Sequence, residues 1–300
     1  MTRRRTDAVT ERPIDGVEVT WEEARAANLA NWEDRVPLHV EAYATDALVK
    51  EPGHLSTVAR TDLAALAGHL PGGTVAGLDV CHLQCHIGTD TLSFAKAGAT
   101  VVGVDFSPAA LAAAAVLAER IGIDAEWVET DVLDVRASID KELGADRLFD
   151  VVYTSIGTIG WLHDLDEWAG EVASLLKPGG IFYIRDGHPA LFSLDEEADA
   201  LTVKYRYFRD GGALQWDDEG TYAGDGRVEH SRTYEWPHPL SEVVTVLLRH
   251  GLTLLALDEG RTLPWQFADR MVITEDGEYA WPGNESSLVP CTFTIVARRD

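Results

Sequence analysis

The chain has 300 residues, 46% of them hydrophobic, enough to bury a sizeable core in one large α/β domain or two small ones. Fifty acidic residues against 25 basic ones give a net charge of −25, a surface that repels a phosphate backbone and argues against a nucleic-acid partner. No apolar run approaches the roughly 18 residues that a membrane span requires, and the odd set Cys81, Cys85 and Cys291 argues against a disulfide framework.

Met1-Thr2-Arg3-Arg4-Arg5 is similar to the charged head of a signal peptide, but the polar stretch Thr6 to Gly16 follows it. Residues 1–16 are therefore expected to be a disordered tip, and the protein cytoplasmic. Residues 17–70 read as a helical cap. Thr20 and Glu23 form a capping box for a helix that carries Trp21 and Ala27. Leu63, Leu66 and Leu70 fall on one face of a later helix, before Pro71-Gly72-Gly73 breaks the pattern.

Strands and helices then alternate. Gly77 to Leu83 predicts a buried strand, Thr91 to Ala97 a short helix stopped by Gly98, and Thr100 to Val104 a second strand ending at Asp105. Ser107 and Pro108 are an N-cap and a first-turn proline, opening a helix with Leu111, Ala114, Leu117 and Ile121 on one face. Ala125 to Glu129 predicts a third strand, ending at Asp131, and Phe149 to Thr154 a fourth. Leu165, Trp168, Val172 and Leu175 mark a helix ended by Lys177-Pro178-Gly179-Gly180, and Ile181 to Arg185 a fifth strand. This order implies a parallel sheet with helices on both faces.

Residues 190–236 break the order. Alternation in Val203-Lys204-Tyr205-Arg206-Tyr207, with turn signals at Gly211-Gly212 and Gly224-Asp225-Gly226, predicts an inserted antiparallel hairpin or lid. Ser241 is expected to cap a helix with Leu240, Val243, Val244, Leu247 and Leu248 inward. Thr253 to Leu257 and Cys291 to Ala297 are the last two predicted strands. One domain is expected, with a cofactor-binding core over 71–189, the insert on the substrate side, and 237–300 completing the core.

In a doubly wound sheet, ligands bind beyond the carboxyl ends of the strands. Those ends carry His82-Leu83-Gln84-Cys85-His86-Ile87-Gly88, Asp105-Phe106-Ser107, Thr130-Asp131-Val132 and Thr154-Ser155-Ile156-Gly157. An acid after the second strand accepts from a ribose diol, and one after the third from an adenine amino group. Two such acids without a Gly-x-Gly-x-x-Gly turn suit a nucleoside cofactor lacking a pyrophosphate. Gly88 allows close backbone approach.

The stretch Val80 to Leu92 resembles motif I of class I S-adenosylmethionine-dependent methyltransferases, and more narrowly a bacterial subgroup whose motif I reads His-Leu-Gln-Cys-His. Val102 to Pro108, Phe149 to Val152 and Lys177 to Phe182 match in the same order, and the resemblance runs from about Trp32 to the C-terminus. The wider family has an acid at position 82 and glycines at 84 and 86, where this chain has His82, Gln84 and His86. The fold implied is a doubly wound, Rossmann-like seven-stranded sheet with an antiparallel last strand, an N-terminal helical cap and an antiparallel β insert after the fifth strand.

The resemblance implies S-adenosyl-L-methionine as cofactor and S-adenosyl-L-homocysteine as product. It implies the turn Gln84 to Gly88, with His86, near the methionine end, Asp105 on the ribose hydroxyls, Phe106 against the adenine, Asp131 with Val132 at the adenine edge, and His82 and Ser155 among the cofactor contacts. The activity implied is methyl transfer to an oxygen or nitrogen of a small molecule. A binding protein that does not transfer methyl and an NAD-dependent oxidoreductase stay open as alternatives.

His188 and Asp186, after the fifth strand, are candidate catalytic residues, because a histidine near neutral pKa takes a proton from a hydroxyl or amine. Trp32, His39, Trp161, Tyr207 and Trp236 are candidate acceptor contacts; Tyr205, Tyr222, Tyr234 and Trp265 could line the same aromatic pocket, and Tyr43 lies on the cap beside them. No metal is expected: Cys81, His82, Cys85 and His86 suggest tetrahedral zinc, yet neighbouring strand residues such as Cys81 and His82 point to opposite faces.

Overall fold

The computed structural model describes residues 16–43, 45–154, 156–208, 212–223 and 226–300. The expected tip and Ser155 fall outside them, as do Gly211 and the pair Gly224-Asp225. The chain opens with α1 (Trp21–Ala42), α2 (Asp46–Lys50) and α3 (Thr57–Leu66). The capping box is present: the Glu23 amide donates to Thr20 Oγ1 at 3.3 Å, and the Thr20 amide to Glu23 Oε2 at 3.4 Å.

Next come β1 (Asp79–Leu83), α4 (Thr89–Lys96), β2 (Thr100–Asp105), α5 (Pro108–Ile121) and β3 (Glu126–Glu129). They are followed by α6 (Val135–Glu142), β4 (Phe149–Thr154), α7 (Leu165–Leu175), β5 (Leu176–Gly187) and α8 (Pro189–Phe192). The insert supplies β6 (Leu214–Asp217) and β7 (Arg232–Glu235), and then α9 (Leu240–Arg249) and β8 (Leu252–Gly260) return to the sheet. Three two-residue strands, β9 (Thr262–Leu263), β10 (Val272–Ile273) and β11 (Tyr279–Ala280), precede β12 (Thr292–Arg299).

The main sheet has seven strands in the order β3-β2-β1-β4-β5-β12-β8, with β12 antiparallel to both its neighbours. Strand order therefore reverses between β1 and β4, the place where such sheets open a ligand crevice. Side chains alternate across the strands. Cys81, Leu83, Val152 and Phe182 face one layer with Trp168 and Val172 of α7 and Leu247 of α9. Val80, Val151, Tyr153 and Tyr183 face the other layer with Ala59 and Leu66 of α3 and Phe94 of α4. Each such buried aliphatic or aromatic side chain contributes about 1.5–3 kcal/mol by leaving water.

That second layer also holds a buried ionic knot. Asp62 of α3 accepts from Tyr153 Oη at 2.5 Å, Tyr183 Oη at 2.9 Å and Arg185 Nε at 2.5 Å, and Arg185 reaches on to Glu278 at 3.1 Å. It ties α3 to β4, β5 and the segment before β11. Among the described residues no helix is long and apolar enough to cross a membrane.

Four local expectations are corrected. Val203 to Tyr207 forms no strand: Val203 makes one bridge to Leu194 and is 74% exposed. The Lys204 and Tyr205 amides both donate to Ser193 O, a turn geometry that leaves no ladder to extend. The insert's hairpin is β6 with β7 instead. Ser241 does not cap α9: the helix starts at Leu240 with Pro239, two residues before Ser241, at the cap position, and Val246 faces inward while Leu248 is 53% exposed. Strand β5 begins before the Pro-Gly-Gly turn, because residues 177–180 loop out opposite Asp150 while Lys177 Nζ bonds Asp150 at 2.8 Å and Asp79 at 2.9 Å. At its other end β5 runs on to Gly187 through pairing with Thr292 and Phe293 of β12, so Asp186 lies within the strand rather than after it.

The cap and the insert meet over the carboxyl ends of the strands. Asn28 of α1 brackets the Tyr234 backbone, donating to its carbonyl at 2.9 Å and accepting from its amide at 2.8 Å. Asn31 donates to His230 O at 2.6 Å, and Asp34 Oδ2 accepts the Glu229 and His230 amides at 2.8 and 2.7 Å.

Candidate active site

The chain leaves β1 through a turn with φ of 55° at Gln84 and 48° at His86. Left-handed backbone at a non-glycine residue costs about 1–2 kcal/mol, and surrounding bonds must hold it. Asp105, at the end of β2, supplies one of them: its Oδ2 accepts the His86 amide at 2.8 Å and its Oδ1 the Ser107 amide at 2.9 Å. The turn closes at Gly88, with φ 72°, where a Cβ would stand 2.7 Å from the Trp127 ring and 2.8 Å from Ala114 Cβ.

Burial pushes the Asp105 carboxyl up to about 6, against the pull of the Ser107 and His86 amides. Each of its oxygens keeps a second lone pair for a hydroxyl donor. Phe106 beside it is half-buried. Asp131, after β3, accepts the Leu133 amide at 3.1 Å and pairs with Arg25 Nε of α1 at 2.6 Å. Val132 is buried in the turn that follows.

Two orphaned acceptors lie at the switch point. Gln84 donates its Nε2 to Thr158 O at 3.2 Å, while its buried Oε1 has no protein partner. Thr154 Oγ1, at the end of β4, is likewise buried and unpaired. Buried polar atoms of this kind cost free energy unless a ligand satisfies them. His82 does not join this turn. Its ring lies in the α3–α4 layer, bonded to Thr91 Oγ1 at 2.7 Å and tilted on Tyr153 at 4.6 Å, and burial lowers its pKa to about 3.

Above the turn, α1 and the insert build an aromatic cage. His86 Nε2 lies 2.9 Å from His39 Nδ1, and His39 Nε2 lies 2.7 Å from Thr221 Oγ1. Tyr43 Oη and Tyr222 Oη are 2.7 Å apart. Trp32 meets His39, His86 and Trp161 edge-on, with centroids 6.0, 5.2 and 5.4 Å away. Desolvation, helped by the Arg35 charge, lowers His39 to about 4; burial, with smaller contributions from His39 and Arg35, lowers His86 to about 3. Both imidazoles are therefore neutral at pH 7.

The structure thus gathers Trp32, His39 and Trp161 at one place and sends the other two acceptor candidates elsewhere. Trp236 is buried with Ala24 and Ala213, 5.8 Å from the Trp21 ring. Tyr207 Oη accepts the Leu240 amide at 3.4 Å, beside α9.

The two catalytic candidates are engaged in local structure. Asp186 accepts the amides of Gly157, Thr158, Ile159 and Gly187 and the Thr158 hydroxyl at 2.6–3.1 Å, so both oxygens anchor the loop after β4. His188 Nδ1 accepts the Ala190 amide at 3.0 Å as the cap of α8, and its Nε2 lies 2.9 Å from Glu259.

Sequence reasoning missed Arg25, Glu33 and Arg35. Glu33 Oε1 accepts from the Ser107 hydroxyl and from the Ala109 amide, clamping α1 to the start of α5. A signal was present for Arg35: Trp32, Arg35, His39 and Tyr43 recur at helical spacing and share one face of α1.

Residues 81–182 match the family model for a methyltransferase domain. A ubiquinone biosynthesis O-methyltransferase of Rhodopseudomonas palustris (strain BisB5) is 25% identical over 202 residues, 67% of this chain and 72% of that protein. A cypemycin N-terminal methyltransferase of a Streptomyces species is 32% identical over 151 residues, 49% of this chain and 56% of that protein. The fold is shared with an S-adenosylmethionine dependent methyltransferase from Mesorhizobium loti, with a TM-score of 0.54 at 19% identity over 78% of this chain and 96% of that one. The domain match and these relatives support a methyltransferase.

Proposed function

We propose that this chain is an S-adenosylmethionine-dependent methyltransferase that acts on an oxygen or nitrogen of a small molecule. The observation that carries the reading is the placement of Asp105 and Asp131 on neighbouring strand ends beside the left-handed Gln84–Gly88 turn, at the sheet's switch point and inside the matched region. Asp105 would hold the ribose hydroxyls. Phe106, Asp131 and Val132 would take the adenine. Gly88, with the orphaned Gln84 Oε1 and Thr154 Oγ1, would take the methionine end.

When bound, the cofactor supplies an already activated methyl group on a sulfonium whose departure leaves neutral S-adenosylhomocysteine. The residues of the chain then have mainly to orient the acceptor and exclude water. Trp32, Trp161 and the Tyr43–Tyr222 pair wall the acceptor side. His39, neutral and bonded through both ring nitrogens to His86 and Thr221, would fix the shape of the acceptor side rather than take a proton. Asp186 and His188 keep structural roles, anchoring the loop after β4 and capping α8.

The test is transfer of labelled methyl from S-adenosylmethionine to a panel of small hydroxylated and amino compounds. Wild type should label at least one class and D105A should not. Tight cofactor binding with no transfer to any class would contradict enzymatic methylation.

A further inference from the structure

Arg35 stands on the inner face of α1, between the histidines and the tyrosines of the cage. Its guanidinium lies 5.2 Å from the Trp32 ring centre, and its buried Nε has no protein partner. Among the described residues no carboxylate forms a salt bridge with it. Glu235 and Asp218 act on it only at longer range; Glu235 is bonded to Trp216 Nε1 at 3.1 Å and Asp218 to the Gly220 amide at 2.8 Å. Burial lowers the pKa of this guanidinium, and it in turn helps hold His39 and His86 neutral. A cation taken out of water without a counter-charge is costly unless something pairs with it.

We infer that Arg35 is the specificity residue for an anionic aromatic acceptor, pairing with the carboxylate of a hydroxylated aryl acid while Trp32 and Trp161 flank its ring. The inference rests on the methyltransferase reading and names the substrate class for that site. The planar fork of an arginine matches a carboxylate through two parallel hydrogen bonds. Flat aromatic walls suit a planar ring. With His39 and His86 neutral, Arg35 is the positive group of the cage, which matches a monoanion better than a phosphate dianion. The acid's hydroxyl would lie on the side of His39.

The test uses matched probes: mono- and dihydroxylated benzoates and their methyl esters, titrated calorimetrically into protein saturated with S-adenosylhomocysteine. Wild type should bind at least one acid about tenfold or more tighter than its ester, the discrimination expected of one charged hydrogen-bonded pair. Arg35→Met should abolish that preference while leaving ester and S-adenosylhomocysteine binding intact, and Arg35→Lys should restore part of it. Equal binding of acid and ester, no binding of any acid, or a preference that survives Arg35→Met would overturn the inference. Failure of wild type to bind S-adenosylhomocysteine at all would instead overturn the methyltransferase reading beneath it.

Discussion

Trp168, Val172 and Leu175 of α7 are fully buried in one large cluster with Phe182 and Phe293 of the sheet, whereas α1 meets the insert through a small cluster of Ala24, Ala213 and Trp236 and through Asn28, Asn31 and Asp34 bonded to backbone groups. The first contact is apolar and non-directional, and it is lost only when the domain unfolds. The second adds to its small apolar cluster a set of hydrogen bonds that water can replace one for one, each with a small net worth. A cap joined in this way can part from the strand ends while the sheet stays whole. The ties from α1 downward are likewise mixed: Arg25 to Asp131, Glu33 to Ser107 and His39 to His86 stand beside Val36 packed on Ile87 and Ala110. The difference teaches that the scaffold rests on one large apolar core while the layer over the strand ends rests on small clusters and many hydrogen bonds, and that substitutions in each should give different signatures.

The largest effect belongs to the scaffold. Trp168→Ala should cost about 3–5 kcal/mol in denaturant unfolding while leaving S-adenosylmethionine affinity of the folded protein unchanged. A loss under about 1 kcal/mol would mean that the α7 layer is not the core described. Asn28→Ala should act locally, since it leaves the Tyr234 amide and carbonyl without partners, a penalty of about 1–3 kcal/mol. Hydrogen exchange should quicken at Tyr234 and along α1 while β4 amides stay protected; equal quickening in both would erase the distinction.

Acidity sharpens the comparison further, because the groups respond with opposite sign. Asp105 titrates at about 6 in the fold against an ordinary 3.8, so the folded state holds a proton that the unfolded state releases between those values. Its stabilising effect is full below pH 3.8 and lost as pH rises through about 6. His39 and His86 titrate at about 4 and about 3 against an ordinary 6.5, so the unfolded chain takes up protons first. Their contribution is full above pH 6.5 and falls as pH drops toward those values. On the proposed role of Asp105, cofactor affinity should follow its ionised form and weaken about tenfold per pH unit below about 6, with D105N weak and flat over the same range. Protection along α1, taken relative to the intrinsic exchange rate at each pH, should fall over pH 6.5 to 4; a cap that tightened on acidification would contradict the neutral histidine pair.

The strands are legible in the sequence because β-branched and aliphatic runs such as Thr100 to Val104 and Phe149 to Thr154 end at turn residues and acids. Helix α6 is not, since only Val135 and Ile139 of its residues are buried and the rest present a polar surface without a clear stripe. The two-residue strands β9, β10 and β11 are too short to carry a period. Val203 to Tyr207 misleads for the opposite reason: alternation is present, but no neighbouring strand is available to pair with it.

At the candidate site, Asp105, Asp131 and Gly88 are legible because each follows a strand of the sheet. The cage cannot be read that way. Thr221 lies 182 residues from His39, and His230 lies 199 from Asn31, so nothing local announces either pairing. Asp186 and His188 were attractive from residue type and position after β5, but type does not reveal that the loop at Gly157 to Ile159 consumes the carboxylate or that the imidazole caps a helix.

The most direct test of the central claim is calorimetric titration of the purified protein with S-adenosylmethionine, S-adenosylhomocysteine and NAD, repeated on D105A. Micromolar binding of the first two, absent for NAD and lost in D105A, is the predicted result. Binding of NAD without either sulfur nucleoside, or unchanged binding in D105A, would contradict the assignment of the turn after β1 and the acid after β2 as the cofactor site.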